Sequence, residues 1–153
     1  SIINDQNITY RGIQVYDKVA NNRCAADYPF LSIERINTKS VNTGGRLKRM
    51  IRFLKNIKAD SKQKIDLSSF DINAICYNID IDAYKDLHYL YLVTIVFLQL
   101  HKIAYDESYA NSITSVDGKE YIFRGNNKRR EVATMLQNVS TIYSILKEQH
   151  LII

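Results

Sequence analysis

Three cations, Lys48, Arg52 and Lys55, recur at four- and three-residue steps, with Arg49 and Lys58 beside them. On a helix that spacing gathers ammonium and guanidinium groups on one face, where they meet phosphate, a carboxylate-rich partner or only water. The interleaved residues Leu47, Met50, Ile51, Leu54 and Ile57 carry the complementary apolar period, so the same stretch has a core-facing side. Thr43 is placed to cap its start, and Gly44 and Gly45 stand at its entry. A second group worth weighing is Ser68-Ser69, which offers hydroxyls at a helix start and also reads as a plain cap. Asp80 and Asp82 form an Asp-x-Asp pair of the kind that two-metal phosphoryl-transfer sites use, set here in a stretch that reads as a solvated helix boundary.

Other chemistries lack their residues. His88, His101 and His150 are scattered, with no Cys or carboxylate at ligand spacing, so no metal site is expected in this chain. Gly-x-Ser-x-Gly, Walker A and Gly-x-Gly-x-x-Gly patterns are absent from the sequence. Aromatic interleaving in the basic stretch amounts to Phe53 and Phe70, too little for an extended single-strand stacking platform.

The charge is local. The chain of 153 residues has a formal net charge of +5, yet residues 46–64 alone hold eight basic residues against Asp60. The rest is close to neutral and slightly acidic. A patch of this kind favours a local anionic ligand over general adhesion to nucleic acid. A hydrophobic share of 46% with 24% charged residues is that of an ordinary soluble globular domain, and one proline with five glycines leaves little room for linkers. The two cysteines, Cys24 and Cys76, do not make a disulfide framework and suggest a reducing, cytoplasmic setting. The apolar run 90–100 carries Thr94 and Gln99 and is short, so it reads as a buried helix and no membrane association is expected. The chain opens at Ser1 and not at methionine, as a trimmed or subcloned fragment would.

The elements that must position these groups follow from period. Residues 8–19 alternate weakly and are rich in β-branched and aromatic types, which predicts one or two short strands. Tyr28-Pro29 predicts an extended segment after a turn at Asn21-Asn22-Arg23. Helical period is read from Thr43 onward: a basic helix over 43–58, a polar loop over 59–66, and a helix start at Ser68 with Asp71 three residues later. Ile72, Ile75, Cys76 and Ile79 form the buried stripe of that helix, and 81–104 reads as one long apolar helix. Residues 111–127 are irregular with a turn at Val116-Asp117-Gly118-Lys119, and a last helix spans 128–149. The expected fold class is mainly α (α+β): a short N-terminal β element over 1–37, then a four- to five-helix bundle over 38–153.

The order of segments adds a resemblance. Arg11-Gly12-Ile13-Gln14-Val15-Tyr16-Asp17, Asp27-Tyr28-Pro29, Asn37 through Arg49 with its Thr43-Gly44-Gly45-Arg46-Leu47-Lys48, Ile51-Arg52-Phe53-Leu54-Lys55, and Leu67-Ser68-Ser69-Phe70 together resemble the C-terminal half of cGAS/DncV-like nucleotidyltransferases, the bacterial CD-NTases. Tyr121-Ile122-Phe123-Arg124-Gly125 before a closing helix also fits. The resemblance implies a two-lobed enzyme whose helical C-terminal domain closes a cleft over a catalytic core. By it, Lys55 corresponds to a lysine that contacts nucleotide phosphates, Ser69 to a serine across the same pocket, and Phe70 to an aromatic that stacks on the base. Lys48 and Arg52 are adjacent candidates.

It further implies that nucleoside triphosphates (ATP or GTP) are joined into a cyclic or linear oligonucleotide second messenger, in bacterial anti-phage defence. The Gly-Ser motif and paired acids of the catalytic lobe are not in this sequence. Magnesium is therefore expected on that missing lobe, and this chain alone is expected to be inactive. Asp5 is the one nearby candidate for a third acid. Two other readings stand beside this one: a helical module that binds RNA or DNA backbone, and a domain whose patch faces an acidic protein. Backbone binding predicts a steep salt dependence shared among the cations, whereas a nucleotide pocket predicts dependence on Lys55 and Ser69 and little on Lys62 or Lys64.

Overall fold

The structure, a computed structural model, describes residues 30–153. Its compact unit, Glu34–Ile153, is built from α-helices. We label them α1 (Phe30–Asn42), α2 (Arg46–Asp60), α3 (Ser69–Tyr77), α4 (Leu92–Tyr105), α5 (Glu107–Ser112) and α6 (Lys128–Glu148). Single 3-10 turns at Ile81–Ala83 and Tyr89–Tyr91 link α3 to α4. Among the described residues there is no strand, only an isolated antiparallel bridge between Thr114 and Tyr121. The strands expected within 8–19 lie outside the described residues.

Two expectations are corrected. Residues 30–37 fall within the expected β element, and the expected helical pattern begins only at Thr43, yet 30–42 is helix α1. The inward positions Ile36 and Ser40 step by four, the helical period, while the other large apolar residues of the segment, Phe30, Leu31, Ile33 and Val41, stay exposed and mark no core stripe. The long helix expected over 81–104 forms only from Leu92. Upstream, side chains compete for the backbone: Asp80 accepts the Asp82 N–H (3.0 Å) and His88 Nδ1 accepts the Leu90 N–H (3.2 Å), each fixing a tight turn in place of a continuous ladder.

The core follows the apolar stripes. Leu47, Met50, Ile51, Leu54 and Ile57 of α2 are all buried, as the spacing predicts. Val96, Leu100 and Ile103 of α4 and Val132, Met135 and Val139 of α6 fill the centre, and α4 against α6 is the most extensive helix pairing. The turn expected at 116–119 is present: Gly118 has φ 76° and donates to Ser115 O (2.8 Å), while Ser115 donates to Glu120 O (2.8 Å). The last helix ends at Glu148, one residue short of the expected limit.

The entry to α2 is tighter than the sequence suggests. Gly44 (φ 62°) and Gly45 (φ 83°) both occupy the left-handed region, and Gly45, not Thr43, is the N-cap residue. Thr43 is nevertheless buried and contributes: its hydroxyl donates to Ser40 O (3.0 Å) and accepts the Leu47 N–H (3.2 Å). Arg46 folds back to donate from Nε to Leu87 O (2.7 Å) and from Nη1 to Thr43 O (3.1 Å).

Candidate functional site

The structure divides the basic residues of 46–64 into two kinds. Arg46 is held on carbonyls, and its guanidinium lies 4.8 Å from the centre of the Tyr89 ring. Arg49 stacks on the same ring at 3.8 Å, and Lys58 Nζ donates to Leu67 O at 2.6 Å. These three cations are part of the fold's own bonding. Lys48, Arg52 and Lys55 are exposed, and among the described residues no hydrogen bond or ion pair engages their side-chain cations. The predicted stripe therefore exists, reduced to three open cations on the outer face of α2.

Its far end is tied to the start of α3. Lys58, one turn beyond Lys55, grips Leu67 two residues before Ser69, and α2 packs directly against α3. The helix start is built by a reciprocal capping box: the Ser68 hydroxyl accepts the Asp71 N–H (3.2 Å), and Asp71 Oδ2 accepts the Ser68 N–H (2.9 Å). Ser68 is thus consumed as the cap, as its position predicts. Ser69, the first helical residue, and Phe70, at 40% exposure, both stand open to solvent. The box uses the N–H groups at its own two ends and leaves those of Ser69 and Phe70 facing outward at the positive end of the helix.

Pairings that sequence reasoning missed hold this edge. Asp71 is 2% exposed and its Oδ1 accepts from Lys128 Nζ at 2.9 Å, which binds the start of α6 to the start of α3. A lysine in the first turn of a helix opposes the helix dipole, and that mismatch was the available signal that Lys128 needs an acid elsewhere. At the other end of α3, Lys39 Nζ donates to the carbonyls of Tyr77 (2.5 Å) and Ile79 (2.8 Å) and lies over the Tyr77 ring. Burial lowers the pKa of its ammonium, with Asp80 and Cys76 pulling the other way. Asp80 and Asp82 are exposed; Asp80 serves the turn and Asp82 pairs with Lys85 at 3.4 Å. Among the described residues no group of three or more His, Cys, Asp or Glu is placed to hold a metal ion, and no helix is long and apolar enough to cross a membrane.

The open cations of α2 and the capped start of α3 thus lie on two helices that pack directly together. The family model of the cGAS/DncV-like nucleotidyltransferase C-terminal helical domain matches residues 34–144, and the chain belongs to that family. The chain is 53% identical over 149 residues to a c-di-GMP synthase of Capnocytophaga granulosa, covering 96% of this chain and 42% of that protein. It is 47% identical over 148 residues to a c-di-GMP synthase of Flavobacteriaceae sp., covering 94% of this chain and 40% of that protein. Among solved structures it is similar to the STING-associated CdnE c-di-GMP synthase from Capnocytophaga granulosa, with a TM-score of 0.78 and 52% identity over 80% of this chain and 40% of that one. The chain therefore spans about two fifths of the length of the relatives it matches.

Proposed function

We propose that this chain is the nucleotide-holding C-terminal portion of a synthase that joins two GTP molecules into c-di-GMP. In each step a ribose hydroxyl attacks an α-phosphorus and pyrophosphate leaves, chemistry in which positioning and charge neutralisation supply most of the catalysis. Lys55, Lys48 and Arg52 would face the triphosphate, where compact ammonium and forked guanidinium donors offset its charge. Ser69 would add a hydroxyl and, with Phe70, the outward N–H groups of the α3 start. The half-exposed Phe70 ring would lie against the base. The role assigned to this portion is binding and orientation, with magnesium held by the catalytic lobe.

The observation that supports the reading is the open row Lys48, Arg52 and Lys55 on a helix that packs against α3, at whose start Ser69 stands, in a member of this family. It also weighs against a backbone-binding surface. Arg46, Arg49 and Lys58 are committed to carbonyls and Tyr89, which leaves a shorter cationic track than the sequence suggests.

Calorimetric titration with GTP and ATP tests it. Lys55→Ala is expected to weaken binding at least about tenfold, while Lys64→Ala leaves it unchanged. Equal, salt-steep losses in both variants would replace the pocket with a general phosphate-binding surface. A chimaera carrying this chain in place of the matching part of the Capnocytophaga granulosa synthase is expected to make c-di-GMP from GTP, with KM raised by Lys55→Ala. A folded chimaera that binds GTP but forms no product would contradict the assignment.

A further inference from the structure

A cavity of about 540 Å³ opens between α5 and the loop that enters α6. It shares no lining residue with the Lys55, Ser69 and Phe70 group. Its lining includes two arginines, Arg124 and Arg129, against one acid, Glu107, together with Asn111, Asn126 and Asn127. Phe123, 3% exposed, is the one large apolar contributor to the lining.

Both arginines are held in place. Arg129 donates from Nε to Ile103 O (3.0 Å) and from Nη2 to Ala104 O (2.9 Å), closing the end of α4. Arg124 donates from Nε to Asn111 O (2.9 Å) and lies 3.5 Å from the centre of the Tyr121 ring. Among the described residues neither arginine pairs with Glu107 or any other acid, and the terminal Nη donors of Arg124 have no protein partner.

The loop between them is fixed as well. Asn126 donates to Ile122 O (2.8 Å) and accepts the Lys128 N–H (2.9 Å). Asn127 makes no capping bond. Gly125 has φ 70°, and no atom lies within 4 Å of where a Cβ would stand, so the backbone faces open space. Lys128 beside the loop is already neutralised by Asp71 and adds no net charge.

A cavity within the usual range for small-molecule sites, walled by held cations and amides, selects a hydrophilic anion over an apolar ligand. We propose that this cavity binds a small phosphate- or carboxylate-bearing metabolite, with the Arg124 guanidinium as its principal contact. The proposal stands apart from the nucleotide-holding role assigned above and does not depend on it.

The test is an NMR titration of the isotopically labelled chain with pyrophosphate and, separately, citrate at constant ionic strength. Saturable shifts are expected at the backbone amides of 124–129 and at the Arg124 Nε–H; whichever probe saturates first identifies a phosphate or a carboxylate ligand. Arg124→Ala is expected to weaken binding at least about tenfold. Asn127→Asp is the sharper variant, because its effects on fold and on binding have opposite signs. An aspartate at that position favours the start of α6, so Tm holds or rises, while its charge repels the ligand and binding is lost. Lys55→Ala leaves these shifts untouched. The proposal is overturned if neither probe gives saturable shifts at 124–129, if Arg124→Ala binds as wild type, or if the shifts fall on α2 and vanish with Lys55→Ala.

Discussion

Cys76 shows how one side chain is governed by its surroundings. It is fully buried beside Ile72, Ile75 and Ile79, and burial pushes its thiol from an ordinary value of 9.0 up to about 12, against the opposing charges of Lys55 and Lys39. The thiolate is the nucleophile, so Cys76 is expected to resist iodoacetamide between pH 7 and 9 in the native chain and to react at the usual rate once unfolded. Peptide mapping by mass spectrometry checks this; rapid native labelling at Cys76 would show that the site opens locally. The basic residues teach a related lesson. Lys55 and Lys58 are one turn apart and alike in sequence, yet one is open and the other is spent on Leu67 O, nine residues away. Arg46 finds its carbonyl at Leu87, 41 residues on. The cationic face was legible because helical period is local information. Which of its members remained available was not, because their partners are set by tertiary structure.

At the level of elements, Ser68 with Asp71 three residues later marked the start of α3, and a reciprocal capping box stands there; the Lys128 pair that Asp71 also makes was not legible. The two members of the box differ in what they hold. Ser68→Ala removes one cap bond at an exposed position and is expected to cost about 1 kcal/mol. Asp71→Ala removes the reciprocal cap bond and the Lys128 pair together, from a carboxylate 2% exposed, and is expected to cost roughly 3 kcal/mol. Urea denaturation of both variants measures the difference; equal costs would mean that Lys128 finds another partner at no loss. The segment before α4 was misread for a physical reason. Its apolar content suited a helix, but Asp80 and His88 offered the backbone local bonds that ended the ladder before Leu92.

Across the described residues, α4 and α6 form the spine against which α2, α3 and α5 pack. Leu100 is fully buried in that spine, and Leu100→Ala is expected to cost about 3 kcal/mol, read as a lower urea midpoint with unchanged slope. The apolar stripes of α2, α3 and α6 announced this core. Helix α1 did not announce itself: Phe30, Leu31, Ile33 and Val41 are apolar yet exposed, and only Ile36 and Ser40 are buried, so its apolar residues do not mark a core stripe. The pair Gly44 and Gly45 then acquires a mechanical meaning. α2 leaves its entry turn through two residues in a backbone region that side chains strain to enter, so any change of angle there is magnified along the helix. At about 1.5 Å of rise per residue, Lys55 stands roughly 14 Å along the axis from Arg46. A swing of about ten degrees at the pivot would carry Lys55 through roughly 2.4 Å, enough to break a hydrogen bond. The aim of the open cations is therefore fixed at both ends of the helix, by the Arg46 clamp on Leu87 and Thr43 with the Thr43 hydroxyl on Leu47 at one end, and by the Lys58 bond to Leu67 O at the other.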